Sequence, residues 1–344
     1  MSETKALDTL DALTNLQFLF VTGKGGVGKS TCAGLMGVHA ANRGRHALIV
    51  LPQTSHNTPS LFGRTLSTTP QVVYTTDHGS LSLVVVDPES AMREYCGHIL
   101  HSQMLTNALF HPKVAGGFLL GIPGLSDWAL LGKSWAWTPS GTFALPKGER
   151  RHDLVIFDAP ASGDGTKMLK VPHVILDLTP FDRSAPGRLR EDARLCKEML
   201  SDARRSAVLL VTLAEDLAIT ETDENLRFIE GELGFPVGPL VLNRLVAPLF
   251  SEQDQAELSA SLDQLNQVPG ALPVHADYAR LVQAGLRYAA RQMSQHQQIQ
   301  RLMSWGRPFI QVPEMSEEFG DIAALARVTA RLGADPSASG DQLG

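Results

Sequence analysis

One stretch constrains this chain more than all the rest: Gly23-Lys24-Gly25-Gly26-Val27-Gly28-Lys29-Ser30-Thr31. It follows an apolar run, Leu16–Val21, and precedes a helix-like segment, Ser30–Asn42. It therefore fits G-x-x-x-x-G-K-[ST] in the strand–loop–helix setting that the pattern requires. Glycines at Gly25, Gly26 and Gly28 let the backbone bend sharply and aim successive N–H groups at phosphate oxygens. Lys29 is placed to reach the β- and γ-phosphates, Ser30 to ligate Mg²⁺, and Thr31 to continue the cradle into the helix. The positive end of that helix faces the same anion. A loop of this kind holds MgATP, and it restricts the fold to an α/β class with a mostly parallel central sheet.

The remaining apolar runs agree with that restriction. Ala47–Leu51, Leu81–Val86, Leu154–Phe157, Ala207–Val211, Leu240–Leu242 and Phe309–Val312 are continuous and rich in β-branched residues or leucine, as strands buried on both faces are. Helical patterns lie between them at Glu221–Leu233, Glu252–Asn266 and Tyr278–Trp305. A last helix is predicted over Phe319–Leu332, capped by Gly333. The 344 residues, 43% of them hydrophobic, suffice for one large domain. We expect residues 16–332 to form it, with residues 1–15 an N-terminal tail and residues 333–344 a disordered one.

Several function classes are disfavoured by composition. The net charge of −6 is spread along the chain, which argues against nucleic-acid binding. No apolar run reaches the roughly 18 residues of a membrane span, and the first 14 residues lack a signal-peptide pattern. The expected location is the cytoplasm, with no direct membrane insertion. Cys32, Cys96 and Cys196 are far apart and form no CxxC, so no zinc site is expected. Residues 90–140 gather Trp128, Trp135 and Trp137 with Met92, Met104, Phe118 and several leucines, broken by glycine and proline into short helices. They read either as core or as a hydrophobic surface for a partner or client.

The extra lysine, Lys24, makes the loop resemble the deviant P-loop (KGGVGKS/T) of the SIMIBI class of NTPases. Leu154-Val155-Ile156-Phe157-Asp158 is an apolar strand ending in a carboxylate suited to hold Mg²⁺. It runs into Ala159-Pro160-Ala161-Ser162-Gly163-Asp164-Gly165, which resembles the D-A-P-A-T-G-H-G switch of the arsenite-pump (ArsA-type) ATPases and the related tail-anchored-protein targeting ATPases. Val86-Asp87-Pro88-Glu89, Pro123-Gly124-Leu125, Val211-Thr212-Leu213-Ala214-Glu215, Thr220-Glu221-Thr222, Val241-Leu242-Asn243-Arg244 and Val312-Pro313-Glu314 are similar to stretches of the same family, in the same order. The resemblance implies a dimer in which Lys24 reaches the partner subunit's nucleotide. It also implies that Asn243 recognises adenine and that the loop at Pro313 closes over its ring. A chain of this length would pair with a second copy or with an ArsA-like paralogue.

One substitution bears on chemistry. From Gly44 to Gly63 the chain aligns with the family's first switch, keeping His56 and Phe62. Gln53, however, stands where the family has a water-activating Asp, and Ser60 replaces a second Asp. In the second switch, Asp164 replaces a His. An amide cannot accept the proton of an attacking water, so general-base help is lost. The chain is expected either to bind ATP and turn it over slowly, or to use Gln53 to orient water as a glutamine does in small GTPases. Lys24 and Gln53 are thus the candidate catalytic residues. The alternatives kept open are an anion- or arsenite-export ATPase and a positioning ATPase of the ParA/MinD kind. An arsenite site would have to draw on Cys96 and Cys196, with Cys32 expected to be buried in the P-loop helix.

Overall fold

The alternation of residues along the first strand shows how the sheet is buried. In a computed structural model of the chain, Phe18 and Phe20 enter one hydrophobic core and Leu19 and Val21 enter another. Strand side chains alternate between faces, so a strand apolar at every position must be covered on both. The structure describes residues 10–53, 66–100, 124–143, 145–146, 148–160, 162–179, 185–266, 273–314 and 321–332.

Eight strands form one sheet: β1 (Phe18–Thr22), β2 (His46–Pro52), β3 (Gln71–Thr75), β4 (Ser80–Val86), β5 (Leu154–Asp158), β6 (Ser206–Leu213), β7 (Leu240–Leu245) and β8 (Phe309–Pro313). Their order is β3-β4-β2-β5-β1-β6-β7-β8. All neighbouring pairs are parallel except β3 with β4. Each of the seven strands expected from the sequence is present. The eighth, β3, is an antiparallel edge strand, mostly exposed. It lacks the unbroken apolar run that identifies the others.

One face of the sheet carries α1 (Lys29–Asn42) and, packed on it, the C-terminal helix α9 (Ile322–Leu332). Helix α1 is wedged between the sheet and α9, and every residue from Cys32 to Ala41 is buried. A helix apolar on all sides is one enclosed on all sides. Residues 10–14, expected to lie in a tail, are helical, and Leu10 and Leu13 pack into this same core. Residues 333–344 lie outside the described residues.

The other face is covered by α2 (Pro88–Leu100), α3 (Leu125–Ala136), α4 (Ser162–Leu178), α5 (Ala185–Ser201) and α6 (Asp216–Leu226), which continues through a π-helical turn at Arg227–Glu232. Trp128, Trp135 and Trp137 are each no more than 1% exposed in this core, where Trp135 packs edge-on against Phe143. The core reading of the tryptophans therefore holds. Residues 101–123 of this segment, Met104 and Phe118 among them, lie outside the described residues. Helices α7 (Glu252–Asn266) and α8 (Pro273–Met303) form a pair beyond β7. Among the described residues no helix is long and apolar enough to cross a membrane.

Candidate functional site

Parallel strands bring their carboxyl ends to one edge of the sheet, and crevices there are where open α/β sheets take ligands. At this edge β1 delivers the Gly-rich loop, β5 delivers Asp158, β2 delivers Gln53, β7 delivers Asn243 and β8 delivers Pro313. Five distant parts of the sequence therefore meet because their strands are parallel and nearly adjacent.

The loop is held in shape by its neighbours. Gly23 has φ of 147°, and a Cβ there would lie 2.1 Å from the Val211 carbonyl oxygen of β6. Gly28 has φ of 92°, and a Cβ there would lie 2.2 Å from Asn243 Nδ2. Neither position accepts a side chain, because β6 and Asn243 press against the backbone where it bends. Gly23→Ala is accordingly expected to cost about 1–3 kcal/mol of stability and to weaken nucleotide binding. Denaturant unfolding and nucleotide titration of that variant check it, and unchanged values in both would contradict the reading.

Lys29 Nζ turns back onto its own loop and donates to the carbonyls of Gly23 (3.1 Å) and Lys24 (3.2 Å). Burial lowers its pKa, and the nearby Asp158 carboxylate partly offsets that. The ammonium is thus desolvated but not fully matched in charge, the state in which an anion is most strongly attracted. The Ser30 hydroxyl donates to Asp158 Oδ2. Asp158 is 7% exposed, and its Oδ1 has no hydrogen-bond partner among the described residues. Burial pushes its carboxyl up to about 6 against the pull of the Ser30 hydrogen bond and Lys29. A buried carboxylate with one oxygen on a serine hydroxyl and the other unmatched is an oxygen-donor pair suited to a hard divalent cation such as Mg²⁺. Among the described residues there is no cluster of three or more His, Cys, Asp or Glu side chains that could form a metal centre.

Asn243 is occupied differently from expectation. Its Nδ2 donates to the Val27 carbonyl at 2.8 Å, and its Oδ1 accepts from the Arg244 N–H at 2.9 Å. In this conformation the amide ties β7 to the Gly-rich loop, a role the sequence did not suggest. Pro313 ends β8, and the following Glu314 N–H donates to the Leu245 carbonyl at 2.7 Å, which joins the β7 and β8 loops. On the opposite side, the Gln53 backbone N–H donates to Val86 at the end of β4 (2.8 Å), and the residue is exposed. The site is therefore divided. The carboxylate and amide ends of β5 and β2 lie to one side of the loop, and the Asn243 and Pro313 loops lie to the other.

Lys24 Nζ is paired with Glu221 Oε1 of α6 at 2.9 Å, each side chain about a third exposed. Asp164 lies in the first turn of α4, but its side chain, like His56, Ser60 and Phe62, falls outside what is described. The cysteines do not assemble. Cys32 and Cys196 are buried and Cys96 is half-buried, and burial raises all three thiols, Cys32 to about 12. Cys196 is thus enclosed as fully as Cys32, which removes it from the thiolates open to a soft metalloid.

Residues 16–179 match the profile of the anion-transporting ATPase family. The chain is 24% identical over 335 residues to "ATPase BagA" of Mycobacterium tuberculosis, an alignment covering 93% of this chain and 94% of that one. It is 26% identical over 276 residues to an arsenical pump-driving ATPase of Acidiphilium multivorum, covering 73% of this chain but 42% of that protein. It is also 26% identical over 275 residues to ATPase GET3 of Zygosaccharomyces rouxii, covering 70% of this chain and 74% of that one. The resemblance read from the motifs, to arsenite-pump and tail-anchored-targeting ATPases, is borne out by these matches.

Proposed function

We propose, from the premise that this chain is an ATPase-family protein related to the arsenical pump-driving and GET3 ATPases, that it binds MgATP as one half of a dimer and turns it over slowly. It would act as an ATP-driven switch, or as the partner of a more active paralogue. The observation that carries this is the pairing of a complete phosphate cradle with an amide at the end of β2. Lys29, Ser30 and Asp158 are close together, and the residue after β2, where the resemblance implies a proton-accepting carboxylate, is the amide Gln53.

In this reading the N–H groups from Gly25 to Thr31 and the Lys29 ammonium hold the triphosphate, and Lys29 exchanges its two carbonyl partners for phosphate oxygens. Ser30 and Asp158 would hold Mg²⁺, whose charge would neutralise that developing on the phosphates. The base falls on the β7/β8 side, against Asn243 and Pro313. Lys24 is the residue offered to the second subunit. Its bond to Glu221 would first have to open, and for a pair this exposed the cost is about 1 kcal/mol or less. The chain's own ion pair is therefore compatible with exchange across an interface.

Lys29→Ala removes the half-buried ammonium of the cradle. A charge-assisted hydrogen bond contributes about 1.5–3 kcal/mol, so ATP affinity in Mg²⁺ should fall by about 10- to 100-fold. Calorimetric titration of the unsubstituted chain and the variant tests this, and equal affinities would remove the cradle from the reading. Sedimentation with and without ATP and Mg²⁺ tests the dimer.

A further inference from the structure

Helix α8 presents four polar side chains on one stripe, Tyr288, Arg291, Gln292 and Gln295, at the i, i+3, i+4, i+7 spacing of a single helical face. All four grip the two loops beyond β7 and β8. Gln295 accepts from the Val246 N–H (2.9 Å) and donates to the Arg244 carbonyl (3.0 Å). Gln292 accepts from the N–H groups of Leu249 and Phe250 and donates to the Phe250 carbonyl at 2.8 Å. The Tyr288 hydroxyl donates to Ala247, and Arg291 forms a two-pronged pair with Glu314, both contacts 2.7 Å.

The loop they hold is not relaxed. Arg244 has φ of 56°, the one positive φ at a non-glycine among the described residues, and the β7–β8 register shifts between Leu242 and Leu245. Such a conformation costs about 1 kcal/mol or more and persists only where surrounding contacts impose it. Gln295 is the buried member of the stripe, 8% exposed, and satisfies one backbone group on each side of Leu245. Its hold on Arg244 continues through the Arg244 N–H to Asn243, and from Asn243 to Val27 of the Gly-rich loop.

We propose that Gln295 is a positioning residue for the base end of the nucleotide: through the Arg244–Val246 backbone it sets the placement of Asn243 and so the preference for adenine over guanine. This rests on the reading above that the β7 and β8 loops hold the base. Without Gln295 two part-buried backbone groups, the Val246 N–H and the Arg244 carbonyl, lose their side-chain partner, and Arg244 returns toward negative φ. The Asn243 amide then swings away from the geometry that separates one purine from the other. Asn243 also contacts Val27 of the Gly-rich loop, but the Lys29 bonds to Gly23 and Lys24 and the Ser30–Asp158 bond do not run through it, so purine selectivity should change more than triphosphate affinity.

The test is competitive binding of ATP, GTP and inorganic tripolyphosphate to the full chain in Mg²⁺, for the unsubstituted protein, Gln295→Ala and Gln295→Glu. The expected result is a preference for ATP over GTP in the unsubstituted chain that falls about tenfold in Gln295→Ala, with a much smaller change in tripolyphosphate binding. Gln295→Glu keeps the acceptor for Val246 and loses the donor to Arg244, so it should give an intermediate ratio. It decides the matter alone if the alanine variant does not fold. An unaltered ATP:GTP ratio, or equal weakening of all three ligands, overturns the proposal and leaves Gln295 a structural residue. An unsubstituted chain that binds tripolyphosphate but does not distinguish ATP from GTP overturns the underlying placement of the base as well. One that binds none of the three overturns the nucleotide reading itself.

Discussion

Gln53→Asp is expected to raise steady-state ATP turnover about 100-fold or more, with little change in ATP affinity. The residue follows directly on β2, and its backbone is fixed on Val86, so the substitution changes chemistry without moving the chain. β2 lies beside β5, whose last residue is Asp158, so position 53 stands next to the carboxylate end of the cradle. It is exposed, and a carboxylate there would stay ionised at neutral pH, ready to take a proton from water. General-base help of this kind contributes about 10²–10⁴-fold. The comparison is purified chain, Gln53→Asp and Lys29→Ala, with the last as the blank. If the unsubstituted chain already turns over well above the blank and Gln53→Asp adds nothing, Gln53 orients the water itself and the chain is a working ATPase. If Gln53→Asp restores turnover to a protein that only binds, the natural chain is the slow member of a pair.

Much of this site is legible in the sequence, for a reason that holds at each residue. The Gly-rich loop, Asp158 and Asn243 sit at or near the ends of buried strands, and unbroken apolar runs followed by small or polar residues mark such ends. Features with no local signature are not legible in this way. β3 is short and exposed. Helix α4 is masked by Gly163, Gly165 and an internal Pro172, residues that normally interrupt helices. The Trp-rich segment leaves core and surface readings both open, since Trp128 meets Tyr95 of α2 edge-on and its helix also packs on α4, which comes from later in the chain. The dual bond of Asn243 and the α8 stripe are unreadable for the same reason. Gln292 and Gln295 look like two polar residues on an amphipathic helix until the loop 244–250 is folded beneath them.

Asp158→Asn is expected to have opposite effects on stability and on function, and the pair of effects identifies the metal position. The carboxyl is pushed up to about 6 from an ordinary 3.8, chiefly by burial. Its folded value lies above its unfolded one, so the folded chain retains a proton that the unfolded chain releases across that window. Stability therefore declines as pH rises from about 4 to about 6, and above it the ionised carboxylate costs about 3 kcal/mol. Asparagine keeps an oxygen to accept from Ser30 and carries no charge. The ligand-free variant should consequently be more stable than the natural chain at neutral pH by up to about 3 kcal/mol, and its stability should lose the dependence between about pH 4 and 6. In the natural chain Mg²⁺ with ATP should repair the same deficit, because a cation that binds only the folded state adds its binding free energy to stability. In Asp158→Asn that gain should largely disappear. Thermal melts of both proteins across this pH range, with and without MgATP, read all three effects together. A variant less stable than the natural chain at every pH would mean that Asp158 supports the fold through Ser30 and Lys29 more than burial strains it. A variant as strongly stabilised by MgATP as the natural chain would place the metal elsewhere. The combination expected here, a site that destabilises its own fold until the ligand arrives, is what allows nucleotide occupancy to shift the conformation of a switch.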